Sequence, residues 1–229
     1  MNDETLHDEM TTVNPEVAAI VLCGGGSTRM GFDKARLTFG NESFLERIIR
    51  TVTPFVSAVV VAGTAREACE FLPSDIRDSV IFAPDQNPDS GPMEGIRAGL
   101  DAIGGKAEVA FVTSCDVPLI KGEVVNVLMR HLEIFDAVVP VRDSRIFGLT
   151  ALYRVSVCEQ VSEMVDRRRL KVALLADELN ANRIPIEALC SVDPDLDSIT
   201  NINSLEDYEQ LLKRFSFSVP EEIRRRIKS

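Results

Sequence analysis

The sequence predicts an α/β domain: a mostly parallel central sheet with helices on both faces, in three layers. Short continuous apolar runs over 17–22, 56–62, 80–83 and 109–113 each end at a turn signal, as strands covered on both faces do. Segments with helical apolar spacing separate them, which is the alternation of a βαβ chain with right-handed crossovers. The 229 residues, 45% hydrophobic and 27% charged, suffice for one domain with a large core.

Residues 1–15 are acidic and polar and are expected to form a disordered tail; they lack the basic and apolar regions of a signal peptide. The strand over 17–22 runs through Cys23 into Gly24, Gly25 and Gly26. Three glycines leave no Cβ to obstruct N–H groups turning toward an anion, and Arg29 and Lys34 add cations at the same place. A tight strand-to-helix turn with surface cations fits the glycines alone equally well. Two familiar phosphate loops are excluded. Phe32 stands where a P-loop built on Gly26 and Gly31 needs lysine, and Arg29 stands where a dinucleotide fingerprint starting at Gly24 needs glycine.

Next, Ser43-Phe-Leu-Glu46 is a capping box ahead of Phe44, Leu45, Ile48, Ile49 and Val52, predicting a helix over 43–53 that Pro54 stops. A strand over 56–62, a short helix over 65–72 and a strand over 80–83 follow. The turn-rich stretch 84–92 leads to a helix over 93–103 and a strand over 109–113. Beyond Asp116 the spacing predicts a helix over 123–132, strands over 137–141 and 148–154, helices over 155–165 and 170–178, and a final helix over 204–215. The domain therefore spans 16–215, with a C-terminal tail, 216–229, to which no function attaches. Ligands of open parallel sheets lie beyond the carboxyl ends of the strands. That rule selects the loop after Leu22, the turn after Ala83 and the tip after Thr113 as walls of one site.

Composition narrows the function classes. With 25 Lys and Arg against 36 Asp and Glu, the net charge is −11. A nucleic-acid partner or a membrane surface is disfavoured, and positive charge must act locally. No apolar run approaches the ~20 residues that span a bilayer. Five cysteines, an odd number without zinc spacing, predict reduced thiols in a cytoplasmic protein. His7 falls in the expected tail and His131 inside an expected helix, which leaves a hydrolase triad without a base. Arg167-Arg-Arg-Leu-Lys171 is a solvated basic face or an anion site.

Two aspartates follow strand ends. Asp116, in Ser114-Cys-Asp-Val-Pro118, is placed to hold Mg²⁺, a hard cation that binds through one or two carboxylates and substrate phosphates; otherwise it caps a turn before Pro118. Asp85 can accept from the N1–H and 2-amino group of guanine, or can form a turn beside Pro84. Gly91 and Gly95 either permit close approach to a nucleotide or start a helix.

Leu22-Cys-Gly-Gly, Arg29-Met-Gly-Phe-Asp-Lys34, Gly91-Pro-Met-Glu-Gly95, Cys115-Asp-Val-Pro118 and Asn201-Ile-Asn203 stand in an order that resembles the molybdenum cofactor guanylyltransferases (MobA-like), over about residues 17–215. The resemblance implies a Rossmann-like α/β/α fold of the nucleotide-diphospho-sugar transferase type. It implies transfer of GMP from GTP to the phosphate of molybdopterin, with release of pyrophosphate, and acceptor molybdoenzymes as further partners. By motif position Leu22, Cys23, Gly24, Lys34, Asp85 and Asp116 would contact GTP, joined by Gly25 in the loop and by Gly91. Asp116 would also hold Mg²⁺, and Lys34 and Arg29 would stabilise charge on the departing pyrophosphate. Two positions depart from the family pattern: Phe147-Gly148 replaces a His-Pro pair, and Ala62 replaces a polar residue after the second strand. The alternatives are a cytidylyl- or sugar-phosphate nucleotidyltransferase of the same fold, disfavoured by Phe32-Asp-Lys34 where such enzymes carry an Arg-Pro-Lys string, and a non-catalytic nucleotide- or molybdoenzyme-binding module.

Overall fold

Along the chain, β1 (Asn14–Leu22) is followed by the hairpin of β2 (Thr38–Phe39) and β3 (Glu42–Ser43), then α1 (Phe44–Val52), β4 (Val56–Ala62), α2 (Ser74–Ser79) and β5 (Ile81–Ala83). The order continues with α3 (Gly91–Ile103), β6 (Val109–Ser114), α4 (Val124–Met129), β7 (Ala137–Arg142), β8 (Arg145–Ile146) and β9 (Ala151–Arg154). It ends with α5 (Cys158–Asp166), α6 (Leu175–Glu178), β10 (Ala181–Pro185), α7 (Leu205–Arg214) and α8 (Glu221–Ile227). These elements belong to a computed structural model that describes residues 14–24, 32–87 and 90–227. The expected tail through residue 13, together with Gly25, Gly26 and Arg29, lies outside the described residues.

The main sheet runs β10-β7-β9-β6-β1-β4-β5, with β8 paired to β7. β1 lies parallel to both neighbours, β4 and β6, so its residues are covered on both faces. Val17, Ala19 and Val21 enter one core with Leu45, Ile48, Ile49 and Val52 of α1 and Val124 and Leu128 of α4. Ala18, Ile20 and Leu22 enter the other with Met93, Ile96 and Leu100 of α3 and Val161 and Val165 of α5. The period-two alternation of β1 thus meets the 3.6-residue stripes of helices on either side. Each fully buried Leu or Ile contributes about 1.5–3 kcal/mol relative to exposure. Ser43 Oγ accepts from the Glu46 amide at 3.1 Å, capping α1 as the sequence predicts.

A third cluster joins the β2–β3 hairpin to α7 and α8: Leu37, Phe39, Phe44, Tyr208, Leu212 and Ile223 pack together. Past residue 215, Phe217 stands edge-on to Phe39, with ring centroids 4.9 Å apart. No helix among the described residues is long and apolar enough to cross a membrane.

Several boundaries differ from expectation. The 65–72 helix is only a 3₁₀ turn, Arg66–Cys69, without a side-chain cap, and the helix forms after Pro73 as α2. The 155–165 and 170–178 helices each begin with a 3₁₀ turn, at Val155–Val157 and Val172–Leu174. β9 starts at Ala151 and runs antiparallel to both β6 and β7, so the sheet is mixed at that point. Its connection from β7 is too short for the crossover of about a dozen residues that a parallel neighbour requires. β10 escaped prediction because it is a polar edge strand in which Ile184 alone is fully buried.

Candidate active site

Backbone hydrogen bonds continue the sheet past its carboxyl edge. Cys23 donates to the Ala62 carbonyl at 2.7 Å, Gly63 to Ala83 at 2.9 Å and Cys115 to Leu22 at 2.9 Å. A Cβ on Gly24 would stand 2.4 Å from the Gly63 carbonyl oxygen, so this seam closes only because residue 24 has no side chain. Leu22 and Cys23 bury their side chains in the core. Only their main chain can face a ligand. A hydrogen bond with Cys115, reinforced by burial, holds the Cys23 thiol well above its ordinary range, which makes it a protonated packing group rather than a nucleophile.

At the tip of β6, Asp116 is held from three directions. Its Oδ2 lies 3.0 Å from Lys34 Nζ, its Oδ1 accepts from Asn201 Nδ2 at 3.1 Å, and its carbonyl accepts from the Ile202 amide at 2.8 Å. Lys34 Nζ also donates to Asn203 Oδ1 at 2.9 Å. The Lys34 and Asp116 side chains are only 16% and 14% exposed, so their attraction is less screened than that of a surface pair. Lys34 reaches this point because Asp33 caps the 3₁₀ turn Lys34–Arg36 through the Ala35 amide. Asn203 is placed by the start of α7, where Asp207 Oδ2 accepts from the amides of Asn203 and Ser204, each at 2.9 Å. Burial would raise the Asp207 pKa, but those amide bonds and nearby Lys34 bring it below its ordinary value.

Asp85 follows β5, three strands from β6 in the sheet order. Burial first, then the charge of Glu94, raises its pKa, with Arg97 opposing; its Oδ1 is buried without a hydrogen-bond partner among the described residues. Beside it, Glu94 is 0% exposed and organises the loop. Glu94 Oε1 accepts from the amides of Gln86 and Asn87 at 2.9 and 3.2 Å, and Arg97 forms a fork to both carboxylate oxygens at 2.6 and 2.9 Å. Gly91 opens α3 at φ 57° with open space where a Cβ would lie. Gly95 faces Leu22 instead, and Gly99 faces Ile20 on the same side of α3, so this glycine pair serves helix-on-strand packing.

Lys34 and Asp116 are therefore brought into contact, Asp85 and Gly91 lie farther along the same edge, and Gly25 and Arg29 fall outside the described residues. Sequence reasoning assigned no role to Glu94 or Arg97, although their i, i+3 spacing inside a helix start was a signal. It also left Asn201 and Asn203 as an ordered motif without a task. In the basic run Arg167 pairs with Glu163 and Arg169 with Glu178, at 3.1 and 2.5 Å, while among the described residues Arg168 and Lys171 form no ion pair.

Among the described residues no group of three or more His, Cys, Asp or Glu is arranged to hold a metal. Mg²⁺ binds through one or two carboxylates with substrate phosphates filling the remaining positions, and Asp116 is such a carboxylate, its oxygens here accepting from Lys34 Nζ and Asn201 Nδ2, donors that a cation would displace. Asp116 fits that chemistry. The arrangement offers a fixed cation, a fixed carboxylate and a main-chain seam at one sheet edge.

A family model described as "MobA-like NTP transferase domain" matches residues 19–181. A protein of Methanothermobacter thermautotrophicus named "Probable molybdenum cofactor guanylyltransferase" is 33% identical over 191 residues, covering 82% of this chain and 94% of that protein. One of the same name from Methanosarcina mazei is 30% identical over 202 residues, covering 85% and 89%. Among solved structures, molybdopterin-guanine dinucleotide biosynthesis protein A from Archaeoglobus fulgidus superposes with a TM-score of 0.73 at 25% identity, covering 87% of this chain and 98% of that one.

Proposed function

We propose that this chain, which belongs to the MobA-like NTP transferase domain family and is a nucleotidyltransferase, transfers GMP from GTP to the phosphate of molybdopterin and releases pyrophosphate. The observation that carries the reading is the Lys34–Asp116 pair, clamped by Asn201 and Asn203 at the tip of β6. The names of the relatives supply the acceptor.

An oxygen of the acceptor phosphate attacks the α-phosphorus in line. The new P–O bond forms as the bond to the bridging oxygen breaks, and pyrophosphate leaves with that electron pair. Both reactants are anions and the acceptor is already ionised, so catalysis consists of positioning and charge neutralisation without a general base. Lys34 is held beside Asp116 and Asn203, and a cation taking its place at Asp116 would release it to meet the charge that develops on the phosphates. Asp116 would hold Mg²⁺, which when bound supplies further neutralisation of phosphate charge. Asp85, with an acceptor oxygen still unpaired, would take the N1–H and 2-amino donors of guanine. At ~4.8 Å per strand, β5 and β6 are roughly 14 Å apart, a spacing suited to a nucleotide laid across the strand ends with base and phosphates separated.

The test is pyrophosphate release with GTP, ATP, CTP and UTP, each with and without molybdopterin. The reading expects release from GTP that depends on molybdopterin. A preference for CTP, or release that ignores molybdopterin, would favour the cytidylyl- or sugar-phosphate alternative, and binding without release would favour a non-catalytic module.

A further inference from the structure

We infer that the β7–β8 hairpin is an anion clamp for the acceptor, in which Arg142 and Arg145 bind the phosphate monoester that receives the nucleotidyl group. The assignment rests on the transfer reading above and gives it a second binding site.

Arg142 and Arg145 are cross-strand partners in register. Like charges directly opposite one another destabilise a hairpin. This chain has 36 Asp and Glu residues available as counter-ions, yet among the described residues neither arginine forms an ion pair. The nearby carboxylates are engaged elsewhere: Asp195 with Arg214 at 2.9 Å, and Asp207 with the amides of Asn203 and Ser204. Asp143, in the turn between the arginines at φ 52°, forms no ion pair with either. Two unpaired guanidinium groups held together in an acidic protein present forks that match a phosphate dianion.

Their surroundings point the clamp at the reaction centre. Arg142, Arg145, Phe147, Asn201, Asn203 and Asp207 line one cavity of about 460 Å³. Asn201 and Asn203 are the residues that hold Asp116 and Lys34, so the cavity abuts the metal and leaving-group machinery from the side opposite the Asp85 loop in the sheet order. The Arg145 guanidinium lies 4.7 Å from the centroid of the Phe147 ring, a cation–π contact that restrains its direction. An acceptor phosphate seated here shares its cavity wall with Asn201 and Asn203, the residues that hold Asp116 and Lys34.

The experiment compares wild type with R142A/R145A and R142K/R145K. Molybdopterin is titrated by equilibrium binding without GTP, and steady-state KM values are measured for both substrates. The clamp predicts at least tenfold weaker molybdopterin binding in the alanine pair, a matching rise in acceptor KM, a GTP KM within twofold of wild type and partial recovery in the lysine pair. Molybdopterin affinity that is equal in all three proteins, or absent from all three, overturns it. So does a GTP KM that rises as much as the acceptor KM, since the arginines would then serve the triphosphate. Arginine-dependent molybdopterin binding without pyrophosphate release from any nucleotide would sink the transfer reading and leave the clamp standing.

Discussion

Lys34 Nζ lies 3.0 Å from Asp116 Oδ2 although the two residues are 82 positions apart, so the carboxylate proposed to hold the metal is already neutralised by the lysine proposed to hold the leaving group. Binding of a cation at Asp116 must share that oxygen or release the lysine toward the phosphates. Asp116→Asn keeps the shape, removes the charge and frees Lys34. It is expected to lower kcat by about 10² and to raise the Mg²⁺ concentration for half-maximal turnover. Wild-type turnover at limiting Mg²⁺ would contradict the metal assignment.

Asp85, proposed to read guanine, carries a cost in stability. Its pKa is raised in the fold, chiefly by burial and then by Glu94, so ionised Asp85 burdens the native state at all pH above its folded pKa. The burden fades as pH falls through that pKa toward the unfolded value near about 3.9. Asp85→Asn is therefore expected to raise Tm at pH 7, with the gain disappearing by about pH 4. The same change should reduce the GTP-over-ATP preference at least about tenfold, because a hydrogen bond to a charged group is lost. Thermal melts across pH and paired nucleotide kinetics check the two halves separately; an unchanged preference would leave Asp85 as a turn residue.

Glu94 holds the Asp85 loop by its amides and holds Arg97 by a two-bond fork. Glu94→Gln leaves Arg97 without its charge partner, and the cost should fall near the lower end of about 3–5 kcal/mol because Arg97 keeps some solvent contact. A variant that still folds should show a raised GTP KM with acceptor KM unchanged. Equal effects on both substrates would indicate general loosening instead.

Much of this architecture was legible because β1 and β4 are covered on both faces and α1 carries its own cap, so local pattern and tertiary context agree. The meeting of Lys34 with Asp116 at the tip of β6 followed from the strand-end rule. What escaped depended on long-range pairing. Asn203 reaches Lys34 across 169 residues, and nothing local marks that contact. Glu94 is a fully buried charge satisfied by loop amides, and apolar periodicity is blind to it. β10 is polar because it lies at an edge, and β9 turns antiparallel because its connection is short.

Gly24 tests the seam at the sheet edge. An added Cβ would meet the Gly63 carbonyl, a backbone atom that cannot rotate away. Gly24→Ala should cost about 1–3 kcal/mol by overpacking, at the upper end of that range, and should weaken GTP binding as the strand ends separate. Gly95→Ala meets only the flexible end of Leu22 and should cost less. Denaturant midpoints of the two variants give the comparison, and equal costs would contradict it.

The most direct test is Lys34→Ala, assayed by steady-state kinetics at saturating molybdopterin together with direct GTP titration. A lysine held at the strand end by Asp116 and Asn203, and released there as a cation binds, should meet the charge growing on pyrophosphate and contribute mainly in the transition state. Its loss is expected to lower kcat by ~10²–10³ while GTP affinity changes far less. A large loss of GTP affinity with kcat unchanged would contradict the account and make Lys34 an anchor for the nucleotide.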